Sequence, residues 1–480
     1  MWSPAQLKQA ACGRFLPLFV NALRCKGRNV ITYDCVVAAV IESAIETQQP
    51  PVPIDSRRNV FAFTGDIVAF IVGTYFIPAT TVLVGLASQL TDDKTLIGVV
   101  GMTWSVTWFL PQLVAARIVR GKRWQKPYLM IPSLIGRNAL LLIALWLLAT
   151  QAQAPILTIW VLVGCLTVFN ACDALAGVAW FDMMSRTLSP RMRARSVSIG
   201  QFIGGILGIG AGLIVERALQ PDGLPFPQNY AFIFGCTWLC MAISLAVISL
   251  LRENPMAEAE QAHALNSDFV TSLKQAIRAD HVFRRVLIVR ILTGIELMAA
   301  SFYLVFAKDQ FGLDDSATGI FNIALIVGGI LGIALFGWLA DRFTALSVVR
   351  TAAIMQFVAP SLALAFAVVA LSLRPGPGLV IAGFILIFAL RGAIEHSLVL
   401  GPLGYLLDSA PERHRAMYVG AINTLGGVVA LSPVIGGIWI DALAAQEQAR
   451  IAYAVMFGCV TVLVGCGVWL SFKLPSLKAH

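Results

Sequence analysis

From Val60 onward the chain is a succession of long apolar segments separated by short polar ones, and this pattern narrows the possible folds more than any other feature. Twelve such segments lie near 60–84, 95–116, 127–149, 155–181, 197–219, 229–251, 285–307, 316–340, 347–372, 378–406, 417–441 and 450–472. At about 1.5 Å of rise per residue, roughly 20 helical residues cross a hydrocarbon layer of about 30 Å, and every segment is long enough. Hydrocarbon offers no partner for backbone amides and carbonyls, so each segment must pair them internally as a helix. The one long polar connection, Arg252 to Arg284, divides the series into six and six. Composition agrees: 58% hydrophobic and 13% charged residues, with a mean hydropathy of +0.79, leave too little polar surface for a soluble chain of 480 residues. The expected class is therefore an all-α membrane protein of twelve transmembrane helices in two pseudo-symmetric six-helix bundles.

On this reading residues 1–58 are an N-terminal cytoplasmic extension, 59–251 the first bundle, 252–284 a cytoplasmic linker, 285–473 the second bundle and 474–480 a cytoplasmic tail. The Phe15–Leu23 run is short for a signal peptide and lacks a clear small-residue cleavage site, so the extension is expected to be retained, with one or two helices. Basic loops stay on the cytoplasmic side. With both termini inside, 27 of the 35 lysines and arginines fall in inside segments, five fall outside, and Arg137, Arg290 and Arg391 lie within helices. The net charge of +9 is thereby accounted for by membrane orientation, and no nucleic-acid partner is expected. The location expected is the inner (plasma) membrane, multi-pass, with both termini cytoplasmic.

Sliding the chain along itself by 222 residues superposes Asp173 on Glu395, Arg193 on Arg415, Val197 on Val419, Gln201 on Asn423 and Gly204-Gly205 on Gly426-Gly427. Each copy carries an apolar segment with one acid, a basic loop and a glycine-rich apolar segment. A parallel repeat of this kind, twelve helices in two sixes and a charged central loop together resemble the major facilitator superfamily. Local sequence adds to the likeness. Gly337-Trp338-Leu339-Ala340-Asp341-Arg342 is similar to the superfamily's G-x-L-A-D-R motif, which implies a gating role for Gly337, Asp341 and Arg342: the glycine for close packing, the aspartate for capping or pairing. The loop after helix 2, Ala115 to Arg123, keeps the basic character and lacks that core, and Thr344 stands where the family usually has glycine. Helix 5 lacks the antiporter signature's glycine-proline pair, so the likeness specifies the fold and no subfamily. Gly200, Gly204, Gly208 and Gly212 form a smooth face on helix 5, as do Gly328 and Gly332 on helix 8. In the family these two helices meet across the halves, which implies sliding there.

Ionisable residues inside apolar helices are costly in hydrocarbon unless paired or facing water, and so point to function. The acids are Asp66, Asp173, Glu296 and Glu395, on helices 1, 4, 7 and 10, which in the resembled fold line the central cavity. The bases are Arg137, Arg290 and Arg391, beside His396. Helix rise places Arg137 and Asp173 at similar depth, where they can meet near the midplane, with Asp66 shallower. Arg391 and Glu395 share a helix face, in the poorer order for an i,i+4 pair. Arg290 and Glu296 point apart and need other partners, and Glu296 has no evident local one. These pairs are read either as structural glue or as a substrate and proton pathway, with Glu296 first and Asp66 second as the proton-carrying acid. Asn170, one turn from Asp173, joins the pathway candidates, and Gln112, Asn138, Gln201, Asn322, Gln356 and Asn423 are read as interhelical hydrogen-bond partners. Phe70, Trp104, Trp108 and Trp180 are read as lipid-facing or interfacial in preference to lining a path.

Nine cysteines without a CxxC and five histidines without ligand spacing give no metal site, and no cofactor is expected. The six cysteines in apolar segments are read as small buried residues. No nucleophile with a base and no nucleotide loop supports an enzyme. The function expected is secondary-active transport of a small solute by alternating access, coupled to H+, in a monomer whose partners are the bilayer and that solute. The alternative is a transporter-like protein with a sensor or assembly role worked through its N-terminal extension.

Overall fold

A computed structural model describes residues 55–119, 122, 124–253, 280–373, 375–395, 397, 401–402, 404–409, 422, 426–444 and 449–475. The expected helices of the extension, most of the linker, and His396, Arg415, Val419 and Asn423 of the repeat lie outside them. The regular structure among the described residues is helical throughout. The first pass is α1 (Arg57–Phe76), a π-helical turn (Ala79–Leu83) and α2 (Val84–Leu90); the second is α3 (Lys94–Phe109) and α4 (Gln112–Val119). Single helices follow: α5 (Lys126–Thr150), α6 (Pro155–Thr187), α7 (Pro190–Ala218) and α8 (Gln228–Ser249). The second half opens with a pass in three pieces, α9 (His281–Gly294), α10 (Glu296–Ala300) and α11 (Tyr303–Phe311). Then come α12 (Ser316–Arg342), α13 (Ala345–Ser372), α14 (Pro377–Glu395), the short α15 (Gly404–Ser409), α16 (Ser432–Ala444) and α17 (Ala449–Ser471).

Eleven described helices are long and apolar enough to cross a membrane. The twelfth pass is α3 with α4, too short as α3 alone because the chain turns at Leu110–Pro111, where proline interrupts the helical hydrogen bonds. One further expectation of a continuous helix is corrected: helix 7 breaks at Ile295 and again at Ser301–Phe302. The described part of helix 10 runs as α14 to Glu395, and its expected continuation to 406 falls partly outside the described residues. Helix starts are fixed by local chemistry. Ser56 accepts the Asn59 amide at 3.2 Å, Asp93 the Leu96 amide at 3.0 Å and Ser189 the Met192 amide at 3.4 Å. Prolines at the first position open α6 and α7.

The 222-residue offset extends to whole elements. Lys94 and Ser316 open α3 and α12, Pro155 and Pro377 open α6 and α14, and Ser249 and Ser471 close α8 and α17, each pair 222 residues apart. Packing follows the same symmetry. In the first half α8 bridges α1 and α5, and α6 packs on α3 and α5; in the second α17 bridges α9 and α13, and α14 packs on α12 and α13. The halves meet where α3 packs on α16 and α7 on α12, again equivalent pairs. The outer faces expose leucines, isoleucines and aromatics such as Leu142, Leu145, Ile206, Leu213, Val462 and Trp469, as a lipid-facing belt requires. An aromatic cluster fills the second half: Phe321 stacks on Phe388 at 5.0 Å, and Phe306 meets Tyr453 at 5.1 Å and Phe457 at 5.2 Å.

The glycine faces serve packing chiefly within each half, which corrects the expectation of a sliding surface between helices 5 and 8. A Cβ at Gly200, Gly204 or Gly208 would meet Ile67, Ile71 or Tyr75 of α1, and one at Gly328 or Gly332 would meet Ala389 or Ala393 of α14. Only Gly212 of the helix 5 stripe faces α12, at Ile323. Among the described residues nothing stands within 4 Å of where a Cβ would be on Gly337 of the motif, so these residues do not show the close packing expected there, and Asp341 and Arg342 are exposed. The expected burial of the cysteines holds for Cys165; Cys466 is exposed on the apolar α17, facing the lipid side.

Candidate functional site

We call the end of the bundle at which α1 begins proximal and the other distal. At the proximal end the Glu253 carboxylate accepts the backbone amides of Gln125 and Lys126, the latter at 2.9 Å, at the start of α5. Lys126 in turn donates to the carbonyls of Ser249 and Leu251 at 2.8 Å, tying α5 to the end of α8. Opposite charges thus meet the exposed dipoles of two helix ends. At the distal end the two halves are joined. Asp441 of α16 accepts the Lys94 amide at 3.0 Å, and its Oδ2 accepts the amide and hydroxyl of Thr95, both at 2.7 Å. Lys94 pairs with Asp309 at 2.7 Å, Asp309 accepts the Tyr453 hydroxyl at 2.7 Å, and Gln89 donates to Asp315. Close backbone approach makes this clasp possible, because Gly98 lies against the Pro433 carbonyl and Gly437 against that of Lys94, where a Cβ would stand 2.4 and 2.3 Å from oxygen.

The charged residues singled out from sequence separate into two groups. In the first half Asp66 is buried, its carboxylate accepting the Trp180 indole at 2.9 Å and the Ser244 hydroxyl, with the Arg137 guanidinium 3.6 Å away. Arg137 also donates to the Met241 carbonyl at 3.0 Å. The arginine's ion pair is therefore with Asp66, where depth counting favoured Asp173: α8 packs on both α1 and α5 and brings the two side chains together. Asp173 instead accepts the Trp108 indole at 3.1 Å. Asn170 does not reach a path. It is 1% exposed and donates to the Leu166 carbonyl of its own helix at 2.9 Å.

In the second half Arg391 lies between two acids, 3.8 Å from Glu296 and 3.4 Å from Glu395. Glu296, 2% exposed, also accepts the Tyr303 hydroxyl at 3.4 Å, so it has partners that its sequence neighbourhood did not reveal. The break at Ile295 places Glu296 at the start of α10. Arg290 differs in its ion pairing: among the described residues it has no carboxylate within 4 Å, whereas the buried Nε of Arg290 and that of Arg391 both lack an acceptor.

Arg290, Glu296, Arg391 and Glu395 line one cavity of about 290 Å³ between the halves. Its other walls include Trp104, Ser105, Trp108 and Phe109 of α3, Gln356 of α13, Ser397, Gly426, Val429 and Ala430. By helix rise it lies between the middle of the bundle and the proximal end, on the far side of the cleft from the clasp. The expectation that helices 1, 4, 7 and 10 all bring acids to one cavity is corrected: Glu296 and Glu395 line it, Asp173 lies behind Trp108, and Asp66 is enclosed within the first half. Trp104 and Trp108, read as lipid-facing, are cavity walls. Trp108, Trp180, Ser244 and Tyr303 are the partners sequence reasoning missed, as it missed Asp441 and Asp309.

The superfamily expected from sequence is matched independently: a family model for the Major Facilitator Superfamily covers residues 65–433. The chain belongs to this superfamily. Solved structures share the fold at low identity. The nucleoside transporter NupG has a TM-score of 0.57 at 15% identity, over 87% of this chain and 100% of that one. A bacterial homologue of the human lysosomal transporter Spinster, inward-facing and unoccupied, has 0.60 at 14%, over 88% and 100%. A POT family transporter in complex with 5-aminolevulinic acid has 0.62 at 10%, over 88% and 99%. No curated protein matches the sequence. This member of the superfamily is thus a multi-pass membrane protein of transporter fold, with its polar cavity at the junction of the halves.

Proposed function

We propose that the protein is a secondary-active transporter that moves a small solute through the cavity between its halves by alternating access, coupled to H+. The observation that carries this reading is a cavity lined by two carboxylates and two guanidiniums, placed between two half-molecules that are clasped at the distal end. A carboxylate sharing a cation can take up a proton when that cation turns to another partner, and Arg391 already has two. Glu296 is the first candidate for the coupled proton and Asp66 the second. Both termini are assigned to the cytoplasm and the membrane to the inner (plasma) membrane on the distribution of basic residues, which makes the clasped distal end the outer one. A monomer suffices, because both walls of the cavity come from one chain.

Proteoliposomes with an imposed pH gradient test the reading. Accumulation of a transported solute is expected to follow the gradient in the native protein and to lose that dependence in Glu296→Gln, with a smaller loss in Asp66→Asn. Unchanged pH-driven uptake in both variants would remove these acids from the mechanism.

A further inference from the structure

We infer that the cavity takes an organic anion, its carboxylate or similar oxyanion held by Arg290 and its flat, apolar body held against Trp104 and Trp108. The inference rests on the cavity being the solute path. The two guanidiniums of the cavity are not equivalent. Arg391 has a carboxylate on each side, at 3.8 and 3.4 Å, and Glu296 is further engaged by Tyr303. Arg290, on one side of the same cavity, has no carboxylate within reach among the described residues, and that pairing is the difference, since the Nε of each arginine lacks an acceptor. A largely enclosed cation without a counter-charge is costly, and the neighbouring Arg391 adds repulsion rather than relief.

Water in the cavity hydrates this cation and supplies no opposite charge. Behind Arg290 is a void of about 20 Å³ bounded by Gln356 and Ser397, room for about one molecule, which solvates a cation without neutralising it. The 290 Å³ cavity in front is near the lower end of the roughly 300–1,000 Å³ range of small-molecule sites. Gly294 keeps the approach open. The Arg290 Nη1 lies 3.8 Å from where a Cβ would stand on that residue, and Val429 lies 2.9 Å from the same point.

The opposite wall fixes the rest of the ligand. Trp108 is held from behind by its hydrogen bond to Asp173 and from the side by Phe109, ring to ring at 5.0 Å; Trp104 rests on Phe169 at 5.7 Å. Aromatic walls already ordered lose little freedom when a planar ligand stacks on them. Two carboxylates and two guanidiniums sum to no formal charge, so an anion arriving with a proton on Glu296 or Glu395 leaves the cavity neutral. The guanidinium supplies the fork of donors that an oxyanion accepts.

The test uses full-length protein in nanodiscs and radiolabelled benzoate as the probe, competed by benzamide and benzylamine. Saturable benzoate binding is expected at concentrations up to about 10 mM, with both competitors much weaker. Arg290→Gln is expected to weaken benzoate roughly thirtyfold or more, the loss typical of removing one partner of a buried charge pair. Arg290→Lys should recover part of it, and the ligand-free Tm of Arg290→Gln should be unchanged or higher, since no carboxylate among the described residues loses an ion-pair partner. No benzoate binding, equal binding of benzamide or benzylamine, benzoate binding indifferent to Arg290→Gln, or a lower ligand-free Tm in that variant would each overturn the inference. Flux of benzoate in proteoliposomes separates the two readings. Binding as described without flux leaves the anion site standing and removes the transport role, whereas flux independent of Arg290 overturns the anion site alone.

Discussion

At the scale of single residues, the informative contrast is between Asp66, whose charge is neutralised, and Arg290, which has no carboxylate within reach among the described residues. Asp66 has a guanidinium, an indole and a hydroxyl around it, all supplied by other helices of its own half. Removing its cation strands a buried carboxylate, a change that costs about 3–5 kcal/mol. Arg137→Met is accordingly expected to lower the Tm markedly, and Arg137→Met with Asp66→Leu to restore much of it, both read by thermal unfolding in detergent; a double variant no better than the single would disprove the pairing. The acids themselves were legible in the sequence because a charge inside an apolar run stands out. Their partners were not. Counting rise along separate helices gives depth but not which helices are neighbours, so Arg137 was matched to Asp173 rather than to Asp66, and Trp180, Ser244 and Tyr303 are residue types that carry no signal of their own.

At the scale of elements, the twelve apolar runs translate into helices almost directly, because length and hydropathy suffice to specify a membrane pass. The interruptions were harder to read. Proline marks the breaks after Ile77 and Leu110, yet helix 7 breaks at Ile295 without one, and it is this break that starts α10 at Glu296. The distal clasp also escaped notice, since Asp441 falls at the very end of an apolar run and resembles an ordinary loop charge. Charge-assisted hydrogen bonds contribute about 1.5–3 kcal/mol each, and a tenfold shift between two states needs only about 1.4 kcal/mol. Asp441→Ala is therefore expected to shift the population toward a separated distal end by roughly tenfold or more. Spin labels at Asp92 and Asp314, one on each half's distal loop, should show a longer mean distance; an unchanged distribution would mean the clasp does not hold the halves together.

At the scale of the whole molecule, the 222-residue offset that was faint in helices 4–5 and 10–11 also sets ends of α3 and α12, of α6 and α14 and of α8 and α17, down to the prolines that open α6 and α14. The superfamily was legible for that reason, whereas the cavity was not: its first-half wall comes from α3, whose Trp104 and Trp108 read from sequence as lipid-facing or interfacial. The orientation assigned from basic residues predicts that, with native cysteines replaced, an impermeant thiol reagent added to intact cells labels Gln153→Cys and spares Arg342→Cys. The reverse pattern would invert the topology. The distal clasp carries a last consequence, concerning which substitutions the protein tolerates. Two of the three groups that Asp441 holds are peptide amides, of Lys94 and Thr95, present whatever side chains stand there, proline excepted. The amide half of the seal therefore tolerates changes of side chain at these two positions, which remove only the Lys94–Asp309 pair or the Thr95 hydroxyl bond, and the vulnerability of the Asp441 contact is lodged in one carboxylate of the other half.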